Sequence, residues 1–210
     1  MIRILIADDH EVVRSGLHTL LEARKGWTVV GEAVDGKDAV RKAIELKPDL
    51  AILDYALPLI NGVEATRQIR AQAPMTEILV FTMHQNEQLI RDLFAAGARG
   101  YLLKSDANQH LYAAVESVTK REPFFTAGVS KAMLESYLTA ERVPTDPLTN
   151  RERLIVQLIA EGKSNKEAAS VLNITVKTVE THRAAIMRKL GFSSVAKLVR
   201  YAIRNKLVEP

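Results

Sequence analysis

The amino-acid sequence predicts an α/β domain over residues 1–120 and an all-α domain over residues 144–210, with a linker at 121–143 between them. Three observations carry this. Strand-like apolar runs alternate with helical spacing five times before Lys120, which is the pattern of a parallel sheet with helices on both faces. The alternation then stops, and beyond Pro144 and Pro147 every segment has the caps and periodicity of a helix. Charge divides at the same place: residues 1–120 hold 14 Lys and Arg against 16 Asp and Glu, whereas residues 121–210 hold 15 against 9. The second half is therefore the one suited to a polyanionic partner.

Taken in order, Ile2–Ala7 is an apolar run broken only by Arg3, which reads as a central parallel strand, and it ends in Asp8-Asp9-His10. Val12, Val13, Leu17, Leu20 and Leu21 follow at helical spacing, and Gly26 closes that segment. Residues 27–31 read as a second strand, 39–46 as a helix, and Lys47-Pro48-Asp49 as a turn. Leu50–Leu53 is a short apolar run that stops at Asp54, and Pro58 keeps the strand from continuing. A helix over 63–71, a strand over 78–82, a helix over Glu87–Ala96, a strand over Gly100–Leu103 and a helix from about 106 to 120 complete the α/β part.

Four of these five strands end in chemically related residues: Asp8 and Asp9, Asp54, Thr82, and Lys104. A strand order of 2-1-3-4-5 brings those ends together at one rim, where open α/β sheets bind their ligands. Singly, an aspartate after a strand is most often a cap or turn residue, and a lone lysine a solvated one. Jointly, three carboxylates at one rim need a cation, and a set of oxygen ligands selects magnesium. Asp54 is then placed to attack phosphorus and form an acyl phosphate, with Lys104 as point-charge partner and Thr82 as hydroxyl donor to the phosphoryl oxygens. His10 beside them reads as a polar helix-entry residue.

Arg121-Glu122-Pro123-Phe124-Phe125 opens a different texture. Residues 129–138 read as one short helix, and 139–147 as the rest of the linker. Thr149 with Glu152, and Ser164 with Glu167, are capping boxes that open two helices, with Asn173 as a left-handed stop after the second. Thr175 caps a third helix running to about Leu190 before Gly191, and Ser193 or Ser194 opens a fourth. Short helices joined by tight turns are the layout of a helix-turn-helix. In the third, Val179, Ile186 and Leu190 face one way, while Lys177, Thr181, Ala184 and Arg188 form a slim, cationic stripe that fits a major groove or else is the solvated face of a four-helix bundle.

Residues 1–120 resemble the receiver domain of bacterial two-component response regulators. The resemblance rests on Asp8-Asp9, on Asp54-Tyr55-Ala56-Leu57-Pro58 followed by Gly62, on Thr82, and on Gly100-Tyr101-Leu102-Leu103-Lys104. It implies a flavodoxin-like five-stranded fold and a phosphoryl group taken from a sensor histidine kinase. It further implies Mg2+ held by Asp9, Asp54 and the backbone carbonyl of Ala56, with Asp8 acting through water, and Tyr101 as an aromatic switch that swings inward when Thr82 moves. Leu57 stands where Met is commoner, and Asn61 where Asp often precedes the glycine.

Residues 148–152, 159–167, 177–183 and 187–191 resemble the LuxR-type DNA-binding domain, and the pairing makes the whole chain similar to NarL/FixJ-class response regulators. That resemblance implies Glu180, Thr181 and Ala184 nearest the bases and Lys166, Lys177, Thr178, His182, Arg183 and Arg188 along the backbone of double-stranded DNA. It also implies a homodimer on activation, paired through the last helix, with RNA polymerase as a further partner. Ala168 stands where the family has a larger aliphatic residue.

The sequence contains no cysteine, so disulfides, thiolate metal sites and cysteine nucleophiles are excluded. No apolar run approaches the roughly 18 residues of a membrane helix, and the amino terminus lacks the form of a signal peptide. The expected location is the cytoplasm. A magnesium-dependent phosphohydrolase also uses a strand-end aspartate, but its second acid two residues on is here Ala56. A receiver that serves only as a kinase-independent interaction platform would not need the complete acidic set.

Overall fold

The computed structural model describes residues 1–84, 87–126, 147–205 and 207–208. The helix expected at 129–138 and most of the stretch at 139–147 lie outside the described residues. The chain divides into two compact units, Met1–Val143 and Pro144–Pro210.

In the first unit the strands β1 (Ile2–Ala7), β2 (Trp27–Ala33), β3 (Leu50–Leu53), β4 (Glu77–Thr82), β5 (Gly100–Leu103) and β6 (Phe124–Phe125) form one sheet in the order β2-β1-β3-β4-β5-β6. Every neighbouring pair is parallel. β3 and β4 are buried along their whole length, as strands covered on both faces must be. On one face Ile4, Ile6, Ile52, Leu79, Phe81 and Leu102 pack against Leu17 and Leu21 of α1 (Glu11–Glu22) and Leu111, Val115 and Val118 of α5 (Ala107–Thr119). The alternate residues Leu5, Ala51, Leu53, Ile78 and Val80 are equally buried on the other face, on the side of α2 (Gly36–Leu46), α3 (Gly62–Gln72) and α4 (Glu87–Ala96). Each of these large aliphatic side chains contributes about 1.5–3 kcal/mol through burial.

The structure departs from the expected elements in three places. β2 continues to Ala33 because its pairing with β1 runs to Ala7↔Ala33. α2 starts three residues early, at Gly36, because Asp35 caps it by accepting from the Asp38 N–H at 2.8 Å. The sixth strand, β6, extends the expected five-stranded sheet: Phe124 N–H donates to the Arg99 carbonyl at 3.1 Å, in the segment read as the start of the linker.

The second unit consists of α6 (Asn150–Ala160), α7 (Asn165–Leu172), α8 (Val176–Leu190) and α9 (Val195–Arg204). Both capping boxes form, Thr149 with Glu152 and Ser164 with Glu167. Asn173 ends α7 in the left-handed conformation at φ 53°, one of the few side chains that tolerate it. Ile155, Leu158, Val179, Ile186, Leu198 and Ala202 make up the core, and Ala168 is fully buried as well.

Candidate functional site

The rim at the carboxyl ends of β1, β3, β4 and β5 is built by strand register. Ala7 pairs with Leu53, so the next residues, Asp8 and Asp54, emerge side by side, with the Asp54 N–H donating to the Ala7 carbonyl at 2.8 Å. Thr82 pairs with Leu103, which brings Lys104 to the same rim. Asp8 is 1% exposed, Asp54 4% and Thr82 0%. Lys104 Nζ lies 2.6 Å from Asp8 Oδ2 and 2.8 Å from Asp54 Oδ2. Asp9 stands more open at the mouth, with its Oδ1 2.9 Å from His10 Nδ1.

Burial pushes the Asp8 carboxyl above its ordinary value; the Asp54 charge adds to this, while the hydrogen bond with Lys104 opposes it. Burial alone would lower Lys104, but the Asp54 charge and the bonds to both carboxylates hold its ammonium above its ordinary value. Two buried acids thus share one cation, a charge deficit that leaves room for another. Asp54 Oδ1 is buried with no hydrogen-bond partner among the described residues. Atoms of Asp8, Asp9, His10 and Asp54 lie within 4.8 Å of one another, a cluster able to hold a metal ion. The orphaned carboxylate oxygen and the preponderance of oxygen donors fit a hard divalent cation that retains some water.

The loop from β3 to α3 is held against this rim. Asn61 caps α3 by accepting from the Glu64 N–H at 3.1 Å, the same service an aspartate would give. Gly62 passes so close to the acid that a Cβ there would lie 2.6 Å from the Asp54 carbonyl oxygen. A Cβ on Gly36 would meet the Ile60 carbonyl at 1.9 Å. Ala56 lies in this loop, two residues beyond Asp54, and Leu57 is fully buried.

Tyr101 on β5 is 1% exposed, and its hydroxyl donates to the His84 carbonyl. Burial, with the Asp54 charge, pushes that phenol well above its ordinary value, so it stays a donor. The His84 N–H in turn reaches Thr82 Oγ1 at 3.3 Å, and the Tyr55 ring meets the His84 ring edge-on at 5.4 Å.

Two contacts at the rim had no signal in the sequence. Arg14 donates to the Asp8 carbonyl at 2.8 Å, although its place in α1 marks it only as a helix residue. His10, read as a helix-entry residue, does occupy the position before α1, yet its ring also belongs to the acidic cluster.

In the second unit Val179 and Ile186 are buried and Leu190 is half-buried, while Lys177, Thr181, Ala184 and Arg188 are all exposed on the other side of α8. Glu180 is exposed too, Thr178, His182 and Arg183 are half-buried, and Lys166 stands exposed on α7. Arg183 donates to Asn165 Oδ1 at 3.1 Å, which ties α8 to the start of α7. At the far end Lys189 reaches both oxygens of the buried Glu152, at 2.8 and 2.7 Å, and Arg151 donates to the Leu172 carbonyl at 2.9 Å. The outer face of α8 is therefore slim and basic, and the helix is held at its middle by Arg183 and near its carboxyl end by Lys189.

Residues 4–116 match the family model described as the response regulator receiver domain, and residues 146–202 match that of the bacterial regulatory proteins of the luxR family. The chain belongs to the two-component response regulators, in the NarL-type group whose receiver precedes a LuxR-type DNA-binding domain; it is a DNA-binding transcriptional regulator rather than a conventional enzyme. It is 40% identical over 210 residues to the transcriptional regulatory protein LiaR of Bacillus subtilis, spanning 99% of this chain and 100% of that one. It is 38% identical over 215 residues to the oxygen regulatory protein NreC of Staphylococcus aureus, spanning 99% of each. Among solved structures, RcsB of Salmonella enterica serovar Typhimurium bound to the promoter rprA with the phosphomimetic BeF3- superposes with a TM-score of 0.69 at 27% identity, covering 95% of this chain and 97% of that one. No helix among the described residues is long and apolar enough to cross a membrane.

Proposed function

We propose that Asp54 is the phosphoryl acceptor of this regulator and that its modification governs DNA binding by α8. The observation that carries the reading is the buried pair Asp8 and Asp54 sharing the ammonium of Lys104, with Asp54 Oδ1 unpartnered among the described residues. Mg2+ held by Asp9, Asp54 and the Ala56 backbone carbonyl, with Asp8 through water, would screen the carboxylates from an incoming phosphate. Asp54 attacks the phosphorus of a phosphohistidine on a sensor histidine kinase; the P–N bond breaks as the new P–O bond forms. Lys104 then pairs with a phosphoryl oxygen, Thr82 donates its hydroxyl to another, and Tyr101 follows Thr82 as the switch.

The output is assigned to residues 144–210, with 1–120 as receiver and 121–143 as linker. Glu180, Thr181 and Ala184 approach the base edges, while Lys166, Lys177, Thr178, His182, Arg183 and Arg188 meet the phosphate backbone. Modified chains dimerise, and a two-fold dimer meets half-sites about 34 Å apart or a multiple of that spacing. The protein works in the cytoplasm and addresses RNA polymerase at its promoters.

Acetyl phosphate with magnesium is expected to add one phosphoryl group to the protein, detected by intact mass. The substitution Asp54→Asn abolishes that addition; labelling that survives it excludes Asp54 as the acceptor.

A further inference from the structure

The hydrogen-bonded path that starts at Thr82 continues past Tyr101. Thr82 Oγ1 accepts from the His84 N–H, the His84 carbonyl accepts from the Tyr101 hydroxyl, and the backbone of Tyr101 stands in register opposite Phe125 of β6. β6 lies beyond residue 116, where the match to the receiver family ends, and in the segment that leads toward the DNA-binding unit. The first residues after α5 to leave the receiver thus share a ladder with its inward-facing aromatic.

β6 is also gripped from its flanks. Phe94 of α4 meets the Phe125 ring edge-on at 5.8 Å, and His110 of α5 lies 6.4 Å from Phe124. Just upstream, the turn after α5 is fastened to Glu77, a 4% exposed carboxylate at the start of β4. Arg99 Nε lies 2.8 Å and Arg121 Nε 3.6 Å from it, and Arg99 donates to the Arg121 carbonyl at 3.2 Å. The β5 side has little freedom: a Cβ on Gly100 would meet Val118 Cγ2 at 2.6 Å and Leu79 Cδ1 at 2.7 Å. Phe125, directly opposite Tyr101 in this ladder, is thus the nearest backbone outside β5 to a displacement of Tyr101 on that side. A two-residue parallel pairing is weak by itself, so a small change in its neighbour decides whether it holds.

We propose that β6, where the linker begins, is the output strand: its pairing with β5 differs between the two states of Asp54, and the rest of the linker receives that difference. This rests on the reading of Thr82 and Tyr101 as the switch.

Two measurements on the full chain test it. Hydrogen exchange of the peptide containing Phe124 and Phe125, read with and without acetyl phosphate and magnesium, is expected to change by at least about fivefold, the lower end of ordinary coupling. The substitution Phe124→Pro removes the N–H that bonds to Arg99 and touches none of the acidic residues. It is expected to leave Asp54 labelling unchanged and to reduce the phosphorylation-dependent gain in DNA affinity from at least about fivefold to below about twofold. Phe124→Leu, which keeps the N–H, retains the gain. Unchanged exchange in the wild type, or a full gain in Phe124→Pro, overturns the proposal while leaving the Thr82–Tyr101 switch standing. A wild type whose DNA affinity ignores phosphorylation overturns both. Should Phe124→Pro fail to fold, the wild-type exchange result decides alone.

Discussion

Lys104 Nζ sits 2.8 Å from Asp54 Oδ2 across 50 residues of sequence, in a rim where neither partner has much access to water. With Asp54 as the proposed acceptor, the pairing sets the ammonium where charge would develop on a transferring phosphoryl group. It also means that removing Lys104 leaves two buried carboxylates facing each other.

Lys104→Met is therefore expected to slow labelling by acetyl phosphate on the order of 100-fold, the usual cost of deleting one donor from a charge-developing centre. Intact-mass time courses at fixed magnesium check this. A variant that labels at the wild-type rate would remove Lys104 from the chemistry.

Gly36 is expected to resist enlargement. Its Cβ position lies 1.9 Å from the Ile60 carbonyl, a backbone atom in the loop that carries Ala56, so Gly36→Ala must push that loop aside. A loss of about 1–3 kcal/mol is expected by urea unfolding, together with slower Asp54 labelling. Equal stability would show that the loop yields freely.

Acid should weaken the helical unit through Glu152. Burial favours the neutral carboxyl, but the hydrogen bonds from Lys189 and Thr149 outweigh it and hold the group below its ordinary 4.5. A depressed folded value means that the stabilisation is present above about pH 4.5 and is lost as pH falls through the folded value. Glu152→Gln is expected to flatten the pH dependence of thermal unfolding in that window. An unchanged dependence would assign the acid sensitivity to another group.

Arg183→Ala is expected to weaken binding to every duplex alike and to lower the slope of log affinity against log salt by about 1, the loss of one phosphate contact. Its guanidinium is already oriented by Asn165 at 3.1 Å, so Asn165→Ala should reproduce part of the loss. A loss confined to one sequence would indicate base readout instead.

The rim was legible in the sequence because a parallel strand buried on both faces is a bare apolar run, and whatever polar residue follows it must stand at the sheet's edge. Asp8, Asp54, Thr82 and Lys104 each end such a run. The helix caps were equally plain, since Thr149 and Ser164 announce themselves by a glutamate three residues on. The start of α2 was not, because its first turn, Gly-Lys-Asp, carries no apolar stripe, and only the Asp35–Asp38 bond marks it. β6 was hidden for a different reason: two residues have no periodicity, and their partner lies over 20 positions away. Glu77 lies just before the strand expected over 78–82, and nothing local marks its burial: Arg70 of α3 and, from farther along the chain, Arg99 and Arg121 converge on it.

Phe124 and Phe125 also bear on where such regulators can be cut and rejoined. A receiver trimmed at Lys120 would strip the flank of β5 and leave the edge that now bonds Phe124 through the Arg99 carbonyl open, an invitation to pairing with a foreign chain. Splicing after Thr126 keeps that flank clothed, so chimeric receivers joined there should stay monodisperse where shorter ones aggregate.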